Sequence, residues 1–413
     1  MYTCKFTVMN YQRFFSGDAQ VMQYSAIRRM ARISSQPGII SFSAGAPNAD
    51  TFPAEEIKET VSSILDSEGK TALQYGLTLG FGGLVDAIVD FCRKKKISSV
   101  TSEQIAITSG SQQALDLVGR LLIDPGDVVF FELPSYIGAI SAFRNLQATL
   151  LGVRQGTDGI EIDELISKIE QSKRSGRHAK LIYVIPNFQN PSGITLSVKK
   201  RQQLLEVADK YDLLIIEDDP YGEVYFDPSL ENELLPIKSF DREGRVLYIS
   251  TFSKILAPGL RTGWIVAPMQ IIEKLDMAKQ ATDLCGSMLD QRIVAGCLRR
   301  GIIQKHLPRI REFYRSKCQV MLDSLKSFMP SEIHWTRPTG GLFLWVTLPE
   351  TLNSEEILYS CLEQEKVAYV IGCPFHVNGE GANTLRLAFC KENEDNIRVG
   401  IEKLAKVFRS YCK

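Results

Sequence analysis

Residues 246–264 read VLYISTFSKILAPGLRTGW, and Lys254 lies in the middle of this stretch. The apolar run 246–249 predicts a buried strand, because no polar residues alternate with the apolar ones. Hydroxyl side chains precede Lys254, and the Pro258-Gly259 turn and Arg261 follow it. A lysine amine can act as a nucleophile, and hydroxyl groups with an arginine suit a phosphate. A lone lysine is usually a solvated surface charge, so the inference depends on the rest of the chain.

The composition is that of an ordinary globular protein. The chain has 413 residues, 44% of them hydrophobic, with 48 basic residues against 48 acidic ones. This balance gives no broad basic surface, so no nucleic-acid partner is expected. No stretch has the length and apolarity of a signal peptide or membrane span, so we expect a soluble, cytoplasmic protein with no membrane partner. The nine cysteines lack C-x-x-C pairs and zinc spacing, so reduced thiols and no metal site are expected.

The pattern of apolar runs predicts an arm and two domains. We predict an N-terminal arm at residues 1–50, a large domain at 51–300 and a small domain at 301–413. In the large domain, apolar runs alternate with helical stretches, which indicates an α/β fold with a mostly parallel sheet. These runs are residues 105–107, 128–131, 181–185, 213–216, 246–249 and 264–267. The last third combines long helices with fewer strands, which indicates a smaller α+β domain.

Polar clusters follow five of the predicted strands. They read TSGSQQ (108–113), ELPSY (132–136), PNFQNPSG (186–193), EDDPY (217–221) and the lysine stretch. Singly they are ambiguous: a plain helix N-cap at 109–111, a generic β-turn at 190–193, and a metal site or helix cap at Asp218 and Asp219. In an open parallel sheet, however, ligands bind beyond the carboxyl ends of the strands. We therefore expect all five clusters to meet at one site.

The combined side chains indicate one cofactor. A lysine amine forms a Schiff base with an aldehyde. An aspartate that faces a pyridine nitrogen keeps the ring protonated and able to accept electrons. A helix N-terminus, hydroxyl groups and an arginine suit a phosphate. Together these are the requirements of pyridoxal phosphate (PLP).

The motifs SGSQQAL, NPSG, EDDPY, FSK with GLRTGW, and TLRLAF occur in this order along the chain. In them the chain resembles the fold-type I PLP-dependent aminotransferases of class I/II, and most closely the α-aminoadipate/kynurenine branch. The resemblance runs from about residue 10 to the C-terminus. It implies the fold-type I α/β architecture, with a mostly parallel large-domain sheet and a smaller α+β C-terminal domain. Ser192 and Thr251 replace the more common threonine and serine, and both keep the hydroxyl group.

The resemblance also implies roles for individual residues. Lys254 would form the Schiff base and move the proton from the substrate Cα to the cofactor. Asp218 would pair with the pyridinium nitrogen, and Tyr136 would stack on the ring. Asn190 and Tyr221 would hydrogen-bond the ring 3′ oxygen. The residues that would hold the phosphate are Ser111, Gln112, Thr251, Ser253 and Arg261.

The implied substrate contacts are Arg386, Asn190 and Gly45. Arg386 would bind the α-carboxylate in a bidentate pair, which suits guanidinium geometry. Gly45 would lie near the substrate, where a side chain would block it. Tyr75 would reach the cofactor phosphate of the neighbouring subunit, so a homodimer with shared sites is implied. Arg28 is either a contact to a second substrate carboxylate or an exposed basic residue on a short helix.

The leading hypothesis is an aminotransferase that needs no metal. It would move the amino group of an L-amino acid of the 2-aminoadipate, aromatic or branched-chain type to a 2-oxo acid, with 2-oxoglutarate expected. A PLP-dependent lyase or decarboxylase could use the same residues. A cofactor-sensing regulatory domain is a third alternative, but only some 40 residues precede the SFSAGAP turn, with no basic recognition helix among them.

Overall fold

The fold is built on one large, mostly parallel sheet and one small antiparallel sheet. The computed structural model describes residues 9–22 and 36–412 of the chain. Arg28, and with it the short helix on which it was expected, lies outside the described residues. The strands are β1 Ile40–Ser41, β2 Ile105–Thr108, β3 Val128–Leu133, β4 Thr149–Gly156, β5 Gly159–Ile160, β6 Ala179–Val184, β7 Leu214–Asp218, β8 Val246–Thr251, β9 Gly263–Val266, β10 His334–Trp335, β11 Phe343–Thr347, β12 Val367–Ala368, β13 Val370–Ile371 and β14 Thr384–Ala388.

Helices cover the sheets and join most of their strands. The described α-helices are Gly17–Val21, Ala54–Ala72, Gly82–Lys94, Ser111–Leu122, Ile137–Asn145, Ile162–Arg174, Val198–Lys210, Met269–Asp283, Met288–Arg299, Ile302–Phe328, Ser354–Ser360 and Glu394–Tyr411. In the described part of the chain, no helix has the length and apolarity to cross a membrane.

Among the described residues, eight strands form the large sheet in the order β2-β9-β8-β7-β6-β3-β4-β5. Strands β8, β7, β6, β3 and β4 run parallel, which confirms the predicted α/β fold. Strand β9 is antiparallel to both β2 and β8. The short connection at residues 252–262 accounts for the β8–β9 pair, since a parallel pair needs a crossover of about a dozen or more residues. Lys254 lies in this connection.

Strand β4 is missing from the sequence prediction. Its side chains at residues 149–151 and 154–156 are only partly buried or exposed, because β5 alone separates it from the sheet edge. Half-buried strands carry polar residues such as Arg154 and Gln155 and lack the continuous apolar run of the central strands. The central strands β3 and β8 are buried along their whole length.

In the C-terminal part, four described strands form an antiparallel sheet in the order β10-β11-β14-β13. The helices Ile302–Phe328 and Glu394–Tyr411 pack together beside it. Strand β1 pairs in parallel with β12, so the end of the predicted arm joins the C-terminal part of the chain. Phe42, just after β1, is fully buried. The boundaries at residues 50 and 300 stay predictions.

Candidate active site

The polar clusters that follow the strands surround one cavity of about 340 Å³. The described lining residues are Gly45, Ala46, Ser111, Gln112, Tyr136, Ile185, Asn190, Asp218, Pro220, Tyr221, Thr251, Ser253, Lys254, Pro258, Arg261, Phe343 and Arg386. The parallel strands β3, β6, β7 and β8 all end at this edge of the sheet. Strand β2 ends there too, because it is antiparallel to β9, which is itself antiparallel to β8. All five clusters therefore converge on one site, as expected.

Lys254 reaches into the cavity from the turn after β8. Its Nζ lies 3.4 Å from the carbonyl oxygen of Gly45 and 5.9 Å from the centre of the Tyr221 ring. Desolvation lowers the pKa of the amine to about 8, and the positive charges of Arg386 and Arg261 act in the same direction. No carboxylate within the described residues forms an ion pair with Lys254. A larger fraction of the amine is therefore neutral, and nucleophilic, near pH 8 than in an exposed lysine.

Asp218 presents an unpaired carboxylate oxygen at the end of β7. Its Oδ2 accepts a hydrogen bond of 2.9 Å from the Tyr183 hydroxyl. Its Oδ1 is buried and has no hydrogen-bond partner among the described residues. Burial raises the pKa of Asp218 to about 7, and the neighbouring charge of Asp219 adds to the effect. A buried carboxylate oxygen without a donor is unfavourable, so Asp218 suits a ligand that brings a charged N–H group.

Asp219 is fully paired and has a structural role. Its Oδ1 accepts from Asn187 Nδ2 at 2.9 Å and from the backbone N–H of Gly222 at 3.1 Å. Its Oδ2 accepts from the Tyr248 hydroxyl at 3.2 Å and from Lys95 Nζ at 3.4 Å. The residues that the structure describes contain no cluster of three or more potential metal ligands. Asp218 therefore faces the cavity, whereas its neighbour Asp219 has a structural role.

Four polar side chains line the cavity in two hydrogen-bonded pairs. Asn190 Nδ2 donates to the Tyr221 hydroxyl at 3.3 Å. This hydrogen bond links the two residues that are predicted to bind the 3′ oxygen of the cofactor ring. The Tyr136 hydroxyl donates to Gln112 Oε1 at 3.2 Å. Burial raises the pKa of Tyr136 to about 12, so its hydroxyl stays protonated near neutral pH.

A cradle for an anion forms where β2 meets the helix Ser111–Leu122. Gly110 precedes the helix with φ +77°, and its N-cap position has no side-chain hydrogen bond to the first turn. A glycine at the N-cap has no capping side chain, and among the described residues no acceptor binds the first backbone N–H groups of the helix, so they are available to an anion. A Cβ at Gly110 would lie 2.5 Å from Arg261 Nη2. The hydroxyl groups of Thr251 and Ser253, which line the same cavity, lie 2.9 Å apart.

Arg386 is held rigidly on the other side of the cavity. Its Nη1 donates to Asn190 Oδ1 and its Nη2 to the carbonyl of Ser43, both at 2.9 Å. Its Cζ lies 4.3 Å from the ring centre of Phe343 and 5.2 Å from that of Phe375. Burial lowers the pKa of the guanidinium to about 10, so it remains charged near neutral pH. A fixed cation between two rings suits the recognition of a carboxylate.

Gly45 lines the cavity as expected, but the group that leaves no space for a side chain at this position is the Phe343 ring. A Cβ at Gly45 would lie 2.8 Å from the Phe343 ring and 3.6 Å from Arg386 Nη2. Phe343 also meets the Tyr221 ring edge-on at a centroid distance of 5.9 Å. Sequence reasoning missed Phe343, because an aromatic residue at the start of a buried strand carries no signal of a site.

Among the described residues, Tyr75 is the predicted site residue that lies outside this cluster. The side chain of Tyr75 is 78% exposed and does not line the cavity. It lies in a separate surface cleft with Gln74 and Met288. Its predicted contact is to a neighbouring subunit, so this role stays a prediction. Arg28 falls outside the described residues, and its role also stays a prediction.

The chain matches the model of the family "Aminotransferase class I and II" over residues 37–404. It is 40% identical over 405 residues to aromatic-amino-acid aminotransferase 1 of Thermococcus litoralis, a match that covers 98% of this chain and 96% of that protein. The crystal structure of Pyrococcus horikoshii kynurenine aminotransferase, in complex with PMP, KYN and KYA, superposes with a TM-score of 0.93 at 40% identity and covers 98% of this chain and 99% of that one. The α-aminoadipate aminotransferase of Thermus thermophilus, complexed with N-(5'-phosphopyridoxyl)-L-leucine, gives a TM-score of 0.89 at 37% identity, with coverage of 98% and 99%.

Fold and site together define a fold-type I PLP-dependent enzyme. Within that class, the chain belongs to the class I and II aminotransferase family and is a transaminase. The residues present fit the cofactor PLP. The Oδ1 of Asp218, which has no partner among the described residues, matches the pyridinium N–H, and the glycine at position 110 lets the Arg261 guanidinium approach the start of the helix, where a phosphate can bind. Lys254 supplies the amine that an aldehyde requires.

Proposed function

We propose that the enzyme moves the amino group of an aromatic, branched-chain or 2-aminoadipate-type L-amino acid to a 2-oxo acid, with 2-oxoglutarate expected as acceptor. One observation carries the proposal: Arg386, a fixed cation, and Lys254, an amine with a lowered pKa, line the same cavity as the unpaired Oδ1 of Asp218. The substrates named for the similar proteins support the same classes of amino donor.

The division of roles follows from the chemistry of each side chain. When bound, PLP supplies an aldehyde that exchanges amino groups and a protonated ring that takes up electron density. Asp218 would keep the ring nitrogen protonated through its free Oδ1. Arg386 would hold the substrate α-carboxylate and so orient the Cα–H bond. Lys254 Nζ would hold the cofactor covalently before substrate binds and afterwards carry the proton from Cα.

The phosphate contacts and ring contacts complete this assignment. Tyr136 would stack on the ring, and Asn190 and Tyr221 would bind its 3′ oxygen. The proposed phosphate cradle consists of Ser111, Gln112, Thr251, Ser253 and Arg261. All five residues line the same cavity, and Arg261 lies beside the Gly110 turn, which supports this assignment.

The cations in the cavity support donors without a second carboxylate. Among the described lining residues, the cations are Lys254, Arg261 and Arg386, and each has a proposed partner already. An aromatic or branched-chain side chain needs no further cation. The distal carboxylate of 2-aminoadipate, like that of the acceptor 2-oxoglutarate, would depend on Arg28.

A half-reaction experiment tests the proposal and separates it from a lyase or decarboxylase. With an amino donor alone, we expect the absorption of the holoenzyme to change to that of the amine form, with one oxo acid released per site. Adding 2-oxoglutarate should reverse the change. The panel comprises aromatic, branched-chain and 2-aminoadipate donors. Stoichiometric ammonia or carbon dioxide would contradict the transaminase assignment.

Replacing Arg386 by lysine tests the carboxylate site. We expect the KM for the amino donor to rise by about 10–100-fold, because charge-assisted hydrogen bonds contribute about 1.5–3 kcal/mol and lysine cannot form the bidentate pair. Cofactor content should not change. Steady-state kinetics and the absorbance of the bound cofactor measure the two quantities. An unchanged KM would move the carboxylate site elsewhere.

The homodimer and the cytoplasmic location belong to the same proposal. Leu73, Tyr75 and Leu77 expose 71%, 78% and 75% of their surface along one short segment. Such a cluster of exposed apolar side chains supports burial against a second copy of the chain. In a dimer with shared sites, Tyr75 would then reach the phosphate of the neighbouring subunit.

A further inference from the structure

A chain of hydrogen bonds lies behind the phosphate cradle, outside the cavity. The backbone N–H of Ser109 donates to Gln113 Oε1 at 2.7 Å. Gln113 Nε2 donates to Asp283 Oδ2 at 2.7 Å, and Lys279 Nζ donates to Asp283 Oδ1 at 2.6 Å. None of Gln113, Asp283 and Lys279 lines the cavity. The chain links the helices Ser111–Leu122 and Met269–Asp283.

The chemistry of this chain allows only one orientation of the Gln113 amide. The carboxylate of Asp283 can only accept hydrogen bonds, so Gln113 must turn its Nε2 toward Asp283. Its Oε1 then faces the Ser109 N–H. Lys279 is 1% exposed, and its ammonium group forms an ion pair with the Asp283 carboxylate at 2.6 Å, so that the two buried charges compensate each other.

The peptide groups around Ser109 are thereby fixed from two sides. The Ser109 carbonyl accepts from Arg261 Nη2 at 3.2 Å, on the side of the proposed phosphate cradle. The Ser109 N–H is directed to Gln113. Gly110 follows with φ +77°, and the helix begins at Ser111. A rotation of the Ser109 peptide would displace both the Arg261 guanidinium and the first N–H groups of the helix.

Asp283 is itself held in an unusual position. It is the last residue of its helix, and Leu284 follows with φ 61° and ψ −57°. The N–H of Cys285 returns to the carbonyl of Asp283 at 2.6 Å. A leucine with positive φ is unfavourable and persists only where the surrounding contacts determine it. The hydrogen bonds of Asp283 to Gln113 and Lys279 are such contacts.

We propose that Gln113, Asp283 and Lys279 are positioning residues that set the geometry of the phosphate cradle. The proposal rests on the function proposed above, because it assumes that the cradle takes the cofactor phosphate. It adds three residues that touch neither cofactor nor substrate. They would increase the affinity for the phosphate group, because they hold the Arg261 guanidinium and the first N–H groups of the helix in position before the ligand binds.

Single substitutions test the effect on affinity. We expect Gln113→Ala and Asp283→Ala to weaken the binding of PLP to the apoenzyme by about tenfold or more, because each removes a charge-linked hydrogen bond. The stabilisation of the apoenzyme by inorganic phosphate should shrink in parallel, while kcat at saturating cofactor changes less. Asp276→Ala is the matched control, since Asp276 pairs with Gln280 on the exposed face of the same helix. Wild-type affinity in both Gln113→Ala and Asp283→Ala would overturn the proposal.

A double substitution tests whether Gln113 and Asp283 act through the hydrogen bond between them or through packing alone. Gln113→Glu alone sets two carboxylates against each other and should weaken cofactor binding. In the double variant with Asp283→Asn, the new glutamate can accept from both the Ser109 N–H and the new asparagine amide, whose oxygen accepts from Lys279. We expect the double variant to bind PLP more tightly than Gln113→Glu. If the losses of PLP affinity from the two substitutions simply added in the double variant, the proposed action through this hydrogen bond would be wrong.

The outcomes remain distinguishable from a failure of the proposed function. If the wild-type apoenzyme bound neither PLP nor inorganic phosphate, the cradle assignment itself would be wrong. If the wild type binds both and the variants behave like Asp276→Ala, only the positioning role of Gln113, Asp283 and Lys279 is wrong. Thermal unfolding of each apo variant shows whether a loss of affinity comes from a loss of the fold.

Discussion

Lys254→Ala is expected to abolish the covalent attachment of the cofactor and to lower turnover by about 10³-fold or more. General acid–base catalysis alone contributes about 10²–10⁴-fold, and alanine also removes the nucleophile. Borohydride reduction followed by mass spectrometry measures the attachment: the wild type should gain the mass of the phosphopyridoxyl group, and the variant should not. The variant should fold, because Lys254 forms no ion pair within the described residues.

The pH dependence of attachment follows from the same environment. Desolvation lowers the pKa of Lys254 to about 8, and only the neutral amine attacks an aldehyde. The rate of reconstitution of the apoenzyme with PLP should therefore rise as the pH increases through about 8. A lysine with an ordinary pKa would give a rise centred near about 10.4.

Lys95 provides the matched control. It is the counterpart of Lys254 in burial but not in chemistry, because it forms ion pairs with Asp219 at 3.4 Å and Glu223 at 3.0 Å. We expect Lys95→Met to lower the free energy of unfolding by about 3 kcal/mol, since it leaves the buried carboxylate of Asp219 without its ion-pair partner, whereas Glu223 keeps Arg311. The covalent attachment should persist. Attachment in Lys254→Ala, or its loss in a folded Lys95→Met, would contradict the assignment of Lys254.

The convergence of the polar clusters could be predicted from sequence because the sheet is parallel. Continuous apolar runs identify strands buried on both faces, and parallel strands carry their following loops to one edge. Asn190, Asp218 and Lys254 are therefore expected to lie together on the sequence pattern alone. The antiparallel direction of β9 was not predicted, although the short connection at residues 252–262 forces that strand to return beside β8.

What the sequence left open depends on side-chain direction and on contacts between distant elements. The residue pattern does not separate the adjacent Asp218 and Asp219, and the assignment of Asp218 came from the family resemblance. The fold supplies the reason, because Asp219 faces Asn187 and Lys95 whereas one oxygen of Asp218 has no partner among the described residues. Phe343 could not be identified as a site residue from the sequence, because its position at the cavity also depends on contacts between distant elements. The contribution of Tyr75 requires a second copy of the chain, which one sequence cannot position.

Asp218→Asn is expected to remove most activity and, at the same time, to stabilise the apoenzyme above pH 7. An amide cannot compensate the charge of a protonated ring nitrogen, so activity should fall by about 10²-fold or more. The stability effect comes from burial, which raises the pKa of Asp218 from 3.8 to about 7. Between these pH values the folded state binds more protons than the unfolded state, so the unfolding free energy decreases as the pH rises. Above pH 7 the ionised carboxylate then costs the apoenzyme about 4 kcal/mol.

Asparagine removes that charge but keeps a polar atom without a partner, so we expect a net stabilisation of about 2 kcal/mol. Urea unfolding of apoenzymes at pH 8 and at pH 5 measures it, and the difference between wild type and variant should shrink at pH 5. Asp219→Asn is the control with the opposite sign, because it breaks the pair with Lys95 and disturbs the bonds to Asn187 and Gly222. If Asp218→Asn destabilised the apoenzyme as Asp219→Asn does, then Asp218 would be a structural acid, and the group that pairs with the cofactor ring would have to be another residue.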